Sequence, residues 1–206
     1  MFMKRLCLFA CMSVVVFLSE ASAQEAFWHL PHDLNDRNTT IIFEVDSTWH
    51  LIEGKTSGMS GKVYLADPAD YRSVRVELSL PVSRFDTDNS MRDSRLREVM
   101  AAAQFPYVMF ALDEVENVCD PVELAEDQGC SGVIKGRLTI REITKKLEFP
   151  AEVRRRGGAY IVAANAVFRW GDFGVEDPSI LVAKLKPEVT VRAEVKLESS
   201  GEQTQP

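Results

Sequence analysis

LKPEVTVRAEVKL, residues 185–197, alternates apolar side chains with charged or polar ones along most of its length. Such alternation puts successive side chains on opposite faces of a β-strand, one facing a core and the other facing water. The pattern recurs in residues 74–80, 146–153 and 160–168. Weaker candidates occupy residues 41–51, 61–66, 107–115 and 133–140. The sequence therefore predicts about eight half-buried strands.

One segment departs from this period. Ser90 and Asp93 have the spacing of a helix capping box, and apolar residues follow at helical intervals as far as Ala103. Pro106 ends the pattern, because the residue before a proline is disfavoured in the α region. We predict one α-helix at residues 90–104, with Ser90 as its N-cap.

About eight antiparallel strands and one inserted helix favour a mainly β fold, an antiparallel β-barrel, because closing the sheet removes its exposed edges. Gly157-Gly158 between two strong strands is typical of a hairpin. A barrel of this size either fills with its own side chains or holds one small ligand. The strand pattern does not decide between a filled interior and one that holds a ligand.

The first residues are typical of an export signal. Lys4 and Arg5 precede an apolar run from Leu6 to Leu18, and Ala21-Ser22-Ala23 supplies the small residues of a cleavage site. A lipoprotein box ending at Cys11 is the weaker alternative, since cleavage there would leave apolar residues on the mature chain. We predict a signal peptide at residues 1–23 and therefore an exported protein.

The remainder suits a single domain. We divide it into a loose N-terminal segment at residues 24–39, the barrel at residues 40–198 and a disordered tail at residues 199–206. The net charge of −7 argues against nucleic acid as a partner. No later segment is apolar enough for stable membrane insertion.

Two cysteines would stay after removal of the signal peptide, Cys119 and Cys130, close together in a polar loop. In an oxidising compartment they favour a disulfide. A redox pair or metal ligands are the weaker alternatives, because the chain has no Cys-x-x-Cys and no nearby histidine.

Catalytic motifs are missing from the sequence. Gly58-Met59-Ser60-Gly61 lacks the spacing of a nucleophile elbow, and Gly61-Lys62 lacks the upstream glycine of a P-loop. His29 and His32 have no third soft ligand near them in the sequence. We expect no enzyme activity, no metal and no cofactor.

Several blocks, in order, resemble the YceI-like family of lipid-binding proteins, over about residues 40–197. The blocks are Ile42–Asp46, Gly54–Gly58, Ser83–Asn89, Met91–Leu96, Phe105–Phe110, Ile134–Lys146 and Arg169–Val175. The resemblance implies a lipocalin-like barrel in the bacterial periplasm that binds a polyisoprenoid-type chain inside the barrel. Dimers are known in the family, so a homodimer stays open.

The apolar faces of the strands supply candidate ligand-binding residues, and the resemblance favours a ligand over a filled core. They are Phe43, Val45, Val74, Val76, Leu78, Phe110, Leu112, Leu138, Ile140, Phe149, Phe168, Val189 and Val191. Arg92, Arg95 and Arg169 are head-group candidates, because arginine pairs with anionic groups through two hydrogen bonds. Structural ion pairs are the alternative for each arginine.

The leading hypothesis is therefore a carrier that sequesters an isoprenoid or similar apolar small molecule, without making or breaking a bond. Two alternatives use the same barrel. One is a redox or stress accessory protein that binds a quinone or haem. The other is a solid-core barrel whose surface binds another protein.

Overall fold

A computed structural model of the chain describes residues 31–67, 70–120, 123–179 and 184–198. These residues form one antiparallel sheet, and an α-helix, α1, spans Ser90–Val99. The strands are β1 His32–Leu34, β2 Thr39–Ser47, β3 Leu51–Thr56, β4 Ser60–Leu65, β5 Val74–Pro81, β6 Phe85–Asp86, β7 Tyr107–Glu116, β8 Gly129–Ile140, β9 Ile143–Arg156, β10 Ala159–Arg169 and β11 Leu185–Leu197. The predicted class, mainly β with one helix, is confirmed.

The order of the strands shows that the sheet curls. Neighbours follow the order β1-β4-β5-β7-β8-β9-β10-β11-β2-β3-β6. In a flat sheet β4 and β3 would lie about 38 Å apart, at about 4.8 Å per strand. Yet only residues 57–59 connect them, a link that reaches about 15 Å. The sheet therefore rolls back on itself into the lipocalin-like barrel.

Strand boundaries differ in detail from the prediction. Residues 41–51 were predicted to form one strand, but β2 ends at Ser47 and β3 begins at Leu51. Between them the Ser47 hydroxyl donates to the carbonyl oxygen of His50 at 2.6 Å, which closes a hairpin. In the described residues the sheet has eleven strands rather than about eight, and the added ones include the short β1 and β6.

The helix begins and ends differently from the prediction. Asn89, not Ser90, is the N-cap, and its side-chain oxygen accepts from the backbone N–H groups of Met91 and Arg92. Helix α1 stops at Val99 instead of residue 104, because Ala101 adopts a left-handed backbone with a φ of 49°. The N–H of Ala102 bonds to the carbonyl of Arg97, the closing bond of a Schellman motif.

The segment predicted to be loose, residues 24–39, is partly ordered in the sheet. Strand β1 pairs with β4, and Leu34 is 3% exposed. The Asp36 carboxylate accepts from the backbone N–H groups of Gly58 and Met59 at 2.7 and 3.2 Å. One buried leucine and one carboxylate thus attach the described part of this segment, residues 31–39, to the barrel. The predicted signal peptide and tail lie outside the described residues.

The structure joins Cys119 to Cys130, with an S–S distance of 2.09 Å. The bridge closes the connection between β7 and β8. In the described part of the chain, no helix has the length and apolar character needed to cross a membrane.

Candidate ligand-binding site

The barrel interior is solid at one end. There, Leu34, Val63, Tyr160 and Leu197 are at most 6% exposed. Side chains from β5, β9 and β11 pack against them, namely Val74, Val76, Leu78, Val153 and Val195. This cluster of large side chains packs one end of the interior, and we call it the packed floor.

A second apolar cluster attaches α1 and the short helix Trp170–Phe173 to the sheet. Val99 and Met100 at the end of α1 pack with Val82, Phe173 and Val175, of which Val82 and Phe173 are each 1% exposed. This packing fixes α1 and residues 170–175 on the barrel. Together they form part of the wall around the remaining interior.

That remaining interior is a cavity of about 630 Å³, which we call the lumen. Its volume lies within the range of small-molecule sites, about 300–1,000 Å³. Apolar side chains form most of its lining. The polar exceptions are Ser47, His50, Thr56, Thr87, Asn89, Arg92, Arg95 and Ser179.

Small residues keep the lumen wide. Ala164, Ala166 and Ala193 line the wall formed by β10 and β11, and Ala164 and Ala193 are direct cross-strand partners. A larger apolar residue at these positions would project into the lumen. The sequence pattern placed Ala164 and Ala166 on one face with Phe168. It did not mark them as lumen residues, because a small apolar side chain is equally common in a packed core.

Two glycines keep aromatic rings against the wall. A Cβ at Gly54 would lie 2.2 Å from Cζ of Phe43, and one at Gly136 would lie 2.4 Å from Cε2 of Phe110. Each ring therefore occupies the space that a side chain on the neighbouring strand would otherwise fill. The Phe110 ring also meets Phe149 edge to face, with centroids 5.2 Å apart. The aromatic rings thus line the wall and leave the lumen itself open.

One end of the lumen opens to solvent. Trp49 and Met91 line it and are 72% and 77% exposed. They lie on the β2–β3 hairpin and on the first turn of α1. We call this opening the mouth.

Charged groups at the mouth are held by neighbours. Arg92 donates through Nη2 to the carbonyl oxygen of Thr87 at 2.6 Å and through Nε to its hydroxyl at 3.2 Å. The Asp93 carboxylate accepts from the same hydroxyl at 2.7 Å. Arg95 pairs with Glu98 at 2.9 Å. Hydrogen bonds to Thr87 thus fix the position of Arg92, and the ion pair with Glu98 fixes that of Arg95.

Residues 177–179 border the same opening. Hydrogen bonds from the Ser179 side chain and backbone hold the pKa of the Asp177 carboxyl below its usual value, and the positive charges of Arg95 and Lys184 add to this effect. The backbone N–H of Ser179 donates to Oδ1 of Asp177 at 2.8 Å. Asp177 therefore carries a negative charge beside Arg95 over the neutral pH range.

Most predicted ligand-binding residues lie in the lumen wall. They are Phe43, Val45, Leu78, Phe110, Leu138, Ile140, Phe149, Phe168, Val189 and Val191, together with Arg92 and Arg95 from the head-group candidates. That these residues contact a ligand stays a prediction.

Four of the predicted residues lie elsewhere. Val74 and Val76 face the interior, but they pack into the floor. Leu112 is 6% exposed and sits at an irregularity in the β7–β8 pairing, outside the lumen lining. Arg169 is exposed at the end of β10, where it pairs in register with Glu188. For Val74 and Val76 the inward face was predicted correctly. Their position along the barrel, at the packed floor, keeps them out of the lumen lining.

Other lumen residues went unpredicted although a signal was present. Leu96 and Met100 continue the helical spacing that begins at Arg92, and all three line the lumen. Ile41 lies on the same face of β2 as Phe43. Thr56 and Ser179 had no such signal, because their place in the lining depends on how the end of β3 and the loop that follows Val175 approach the barrel.

Comparisons with known proteins agree with this architecture. A family model for the YceI-like domain matches residues 32–199. No curated protein sequence matches the chain.

Solved structures share the fold at low identity. BcnA of Burkholderia cenocepacia has a TM-score of 0.62 at 16% identity, covering 77% of this chain and 95% of its own. A polyisoprenoid binding domain of Saccharophagus degradans, implicated in plant cell wall breakdown, has a TM-score of 0.65 at 13% identity, covering 82% and 98%. The YCEI protein of Campylobacter jejuni has a TM-score of 0.55 at 19% identity, covering 70% and 83%. With a family model spanning most of its length, the chain belongs to the YceI-like family.

Proposed function

We propose that this chain is a periplasmic carrier or buffer for an apolar, isoprenoid-like molecule held in the lumen. The observation that carries the proposal is the open, apolar space of about 630 Å³ inside a barrel whose other end is packed. The polyisoprenoid binding domain from Saccharophagus degradans has a similar fold, which supports the same class of ligand. Burial in the lumen is the mechanism, and no bond is made or broken.

The magnitude of burial is sufficient for this role. Each buried CH₂ contributes about 0.8 kcal/mol, so a chain of about fifteen carbons gains about 12 kcal/mol before the entropic cost of association is subtracted. Arg92 and Arg95 lie where a polar end left at the mouth would contact them. The exposed Trp49 and Met91 extend the apolar wall to the opening, where a ligand would enter and leave.

Export is the second part of the proposal and rests on the pattern of residues 1–23. Cell fractionation of a producing strain tests it, with the replacement Ala23→Arg as the variant that blocks cleavage. We expect the processed wild-type chain in the periplasm and an unprocessed variant. Wild-type protein of full length in the cytoplasm would refute export.

Binding is tested by mass spectrometry of an organic extract from the chain purified without detergent. We expect a prenyl chain in roughly stoichiometric amount with the protein. A quinone or haem in its place would favour the redox alternative. An extract that holds no such molecule, from protein that also fails to bind added farnesol, would refute the carrier role.

A further inference from the structure

One polar atom of the lumen wall has no hydrogen-bond partner in the part of the chain that the structure describes. Among the described residues, three buried side-chain nitrogen or oxygen atoms lack a hydrogen bond, namely Oγ1 of Thr56, Nε of Arg141 and Nε of Arg155. The two arginine atoms have carboxylates nearby, with Glu142 at 3.6 Å and Glu126 at 3.8 Å. Thr56 is neutral, 9% exposed and part of the lumen lining. A buried hydroxyl without a partner is costly, so this atom calls for an explanation.

Thr56 lies at the opposite end of β3 from the β2–β3 hairpin. It lies five residues along β3 from Leu51, at the hairpin, a distance of about 17 Å along the strand. Its register partner is Phe85, whose ring packs on Phe43 with centroids 5.5 Å apart. The hydroxyl is therefore set among aromatic side chains in the buried part of the lumen.

The charge of the group that would meet Thr56 follows from its surroundings. The ionisable residues of the lumen lining are His50, Arg92 and Arg95, which belong to the β2–β3 hairpin and to α1. None of these three lies on β3 or β6. Arg92, the one bonded next to β6, already donates to the carbonyl and hydroxyl oxygens of Thr87. A neutral oxygen would meet the Thr56 hydroxyl without adding a buried charge.

We propose that Thr56 is a ligand-recognition residue, and that the ligand is an apolar chain bearing a neutral hydroxyl or carbonyl oxygen that hydrogen-bonds to Oγ1 in the buried part of the lumen. The inference rests on the proposed function and narrows its ligand class, because a pure hydrocarbon would leave this hydroxyl unpaired. The threonine hydroxyl both donates and accepts, so an alcohol or a carbonyl satisfies it.

Titration calorimetry with three C15 probes tests the proposal. Farnesol carries a hydroxyl, farnesal a carbonyl, and farnesene has the hydrocarbon skeleton without oxygen. The variant Thr56→Val removes the hydroxyl at nearly constant volume. Thr190→Val is the matched control, because Thr190 alternates with the lumen residues Val189 and Val191 and faces outward.

We expect Thr56→Val to weaken farnesol or farnesal binding about tenfold, while farnesene binding stays the same or tightens. Whichever oxygenated probe responds identifies the ligand group as an alcohol or a carbonyl. Thr56→Ser keeps a hydroxyl and should retain most of the preference, which guards against a folding defect in the valine variant. Thr190→Val should bind all three probes as the wild type does.

Two failures are distinguishable. If the wild type binds all three probes and Thr56→Val changes their affinities by the same factor, the role of Thr56 is refuted while the carrier function stands. If the wild type binds none of the probes, the proposed function fails and the inference falls with it.

Discussion

Replacing Ala164 with leucine tests whether the lumen is the binding space. Ala164 is 9% exposed and lines the wall formed by β10 and β11. Leucine adds three carbon atoms, which would occupy space otherwise open to about three carbons of the ligand. At about 0.8 kcal/mol per carbon, the loss is about 2.4 kcal/mol, or a dissociation constant about sixty-fold larger.

The neighbouring residue supplies the control. Ala163 is one position earlier on β10 and, by the two-residue period of a strand, faces outward. Titration calorimetry with farnesol should show the large loss for Ala164→Leu and wild-type affinity for Ala163→Leu. Thermal unfolding of both variants checks that each is folded. Equal farnesol affinities for the two folded variants would refute the assignment of the ligand to the lumen.

Three further predictions concern the wall, the helix and the mouth. Gly54→Ala should displace the Phe43 ring, because the added Cβ would overlap with it. We expect the free energy of unfolding to fall by about 1–3 kcal/mol and farnesol affinity to decrease, and unchanged values in denaturant titration and calorimetry would contradict this. Ala101→Gly should raise the free energy of unfolding by about 1 kcal/mol, because glycine adopts the left-handed backbone without strain, whereas Ala103→Gly should not; a lower stability for Ala101→Gly would count against the Schellman motif. Because the pKa of Asp177 is lowered in the folded state, the stability that its carboxylate contributes is present above the usual pKa and is lost as the pH falls through the lowered pKa. Ser179→Ala should move the pKa of Asp177 upward in a carboxyl NMR titration. An unchanged pKa would show that the Ser179 hydroxyl does not hold the carboxylate.

Much of the fold follows from local pattern. Period two identified the long strands β5, β9, β10 and β11, because each has one face toward the interior and one toward water. The existence of α1 followed from spacing, but its end did not. Nothing in Ala101 marks a left-handed residue, since glycine is the usual choice at that position.

The division of the barrel into a packed floor and a hollow lumen could not be predicted from the same pattern. Val76 and Leu78 lie two residues apart on the same face of β5, yet only Leu78 lines the lumen. The difference arises because Leu34 and Val63, on neighbouring strands, fill the space next to Val76. Periodicity predicts which face of the strand a residue is on. Whether the space in front of its side chain is filled depends on residues that are distant in the sequence.

The proposed role of Thr56 likewise could not be predicted from the sequence. A threonine in a strand is ordinary, and its sequence neighbours Lys55 and Ser57 give no sign of burial. In the structure Phe85 pairs with Thr56 in register and packs on Phe43, and the Thr56 hydroxyl is buried without a partner among the described residues. Candidate polar contacts of this kind require the three-dimensional arrangement.

A crystal structure of the full mature chain grown with farnesol tests the central claim most directly. The account predicts continuous electron density for the chain inside the barrel, bounded by Phe43, Phe110 and Ala164. Density for farnesol on the outer face of the sheet, or a lumen closed by its own rearranged side chains, would contradict it.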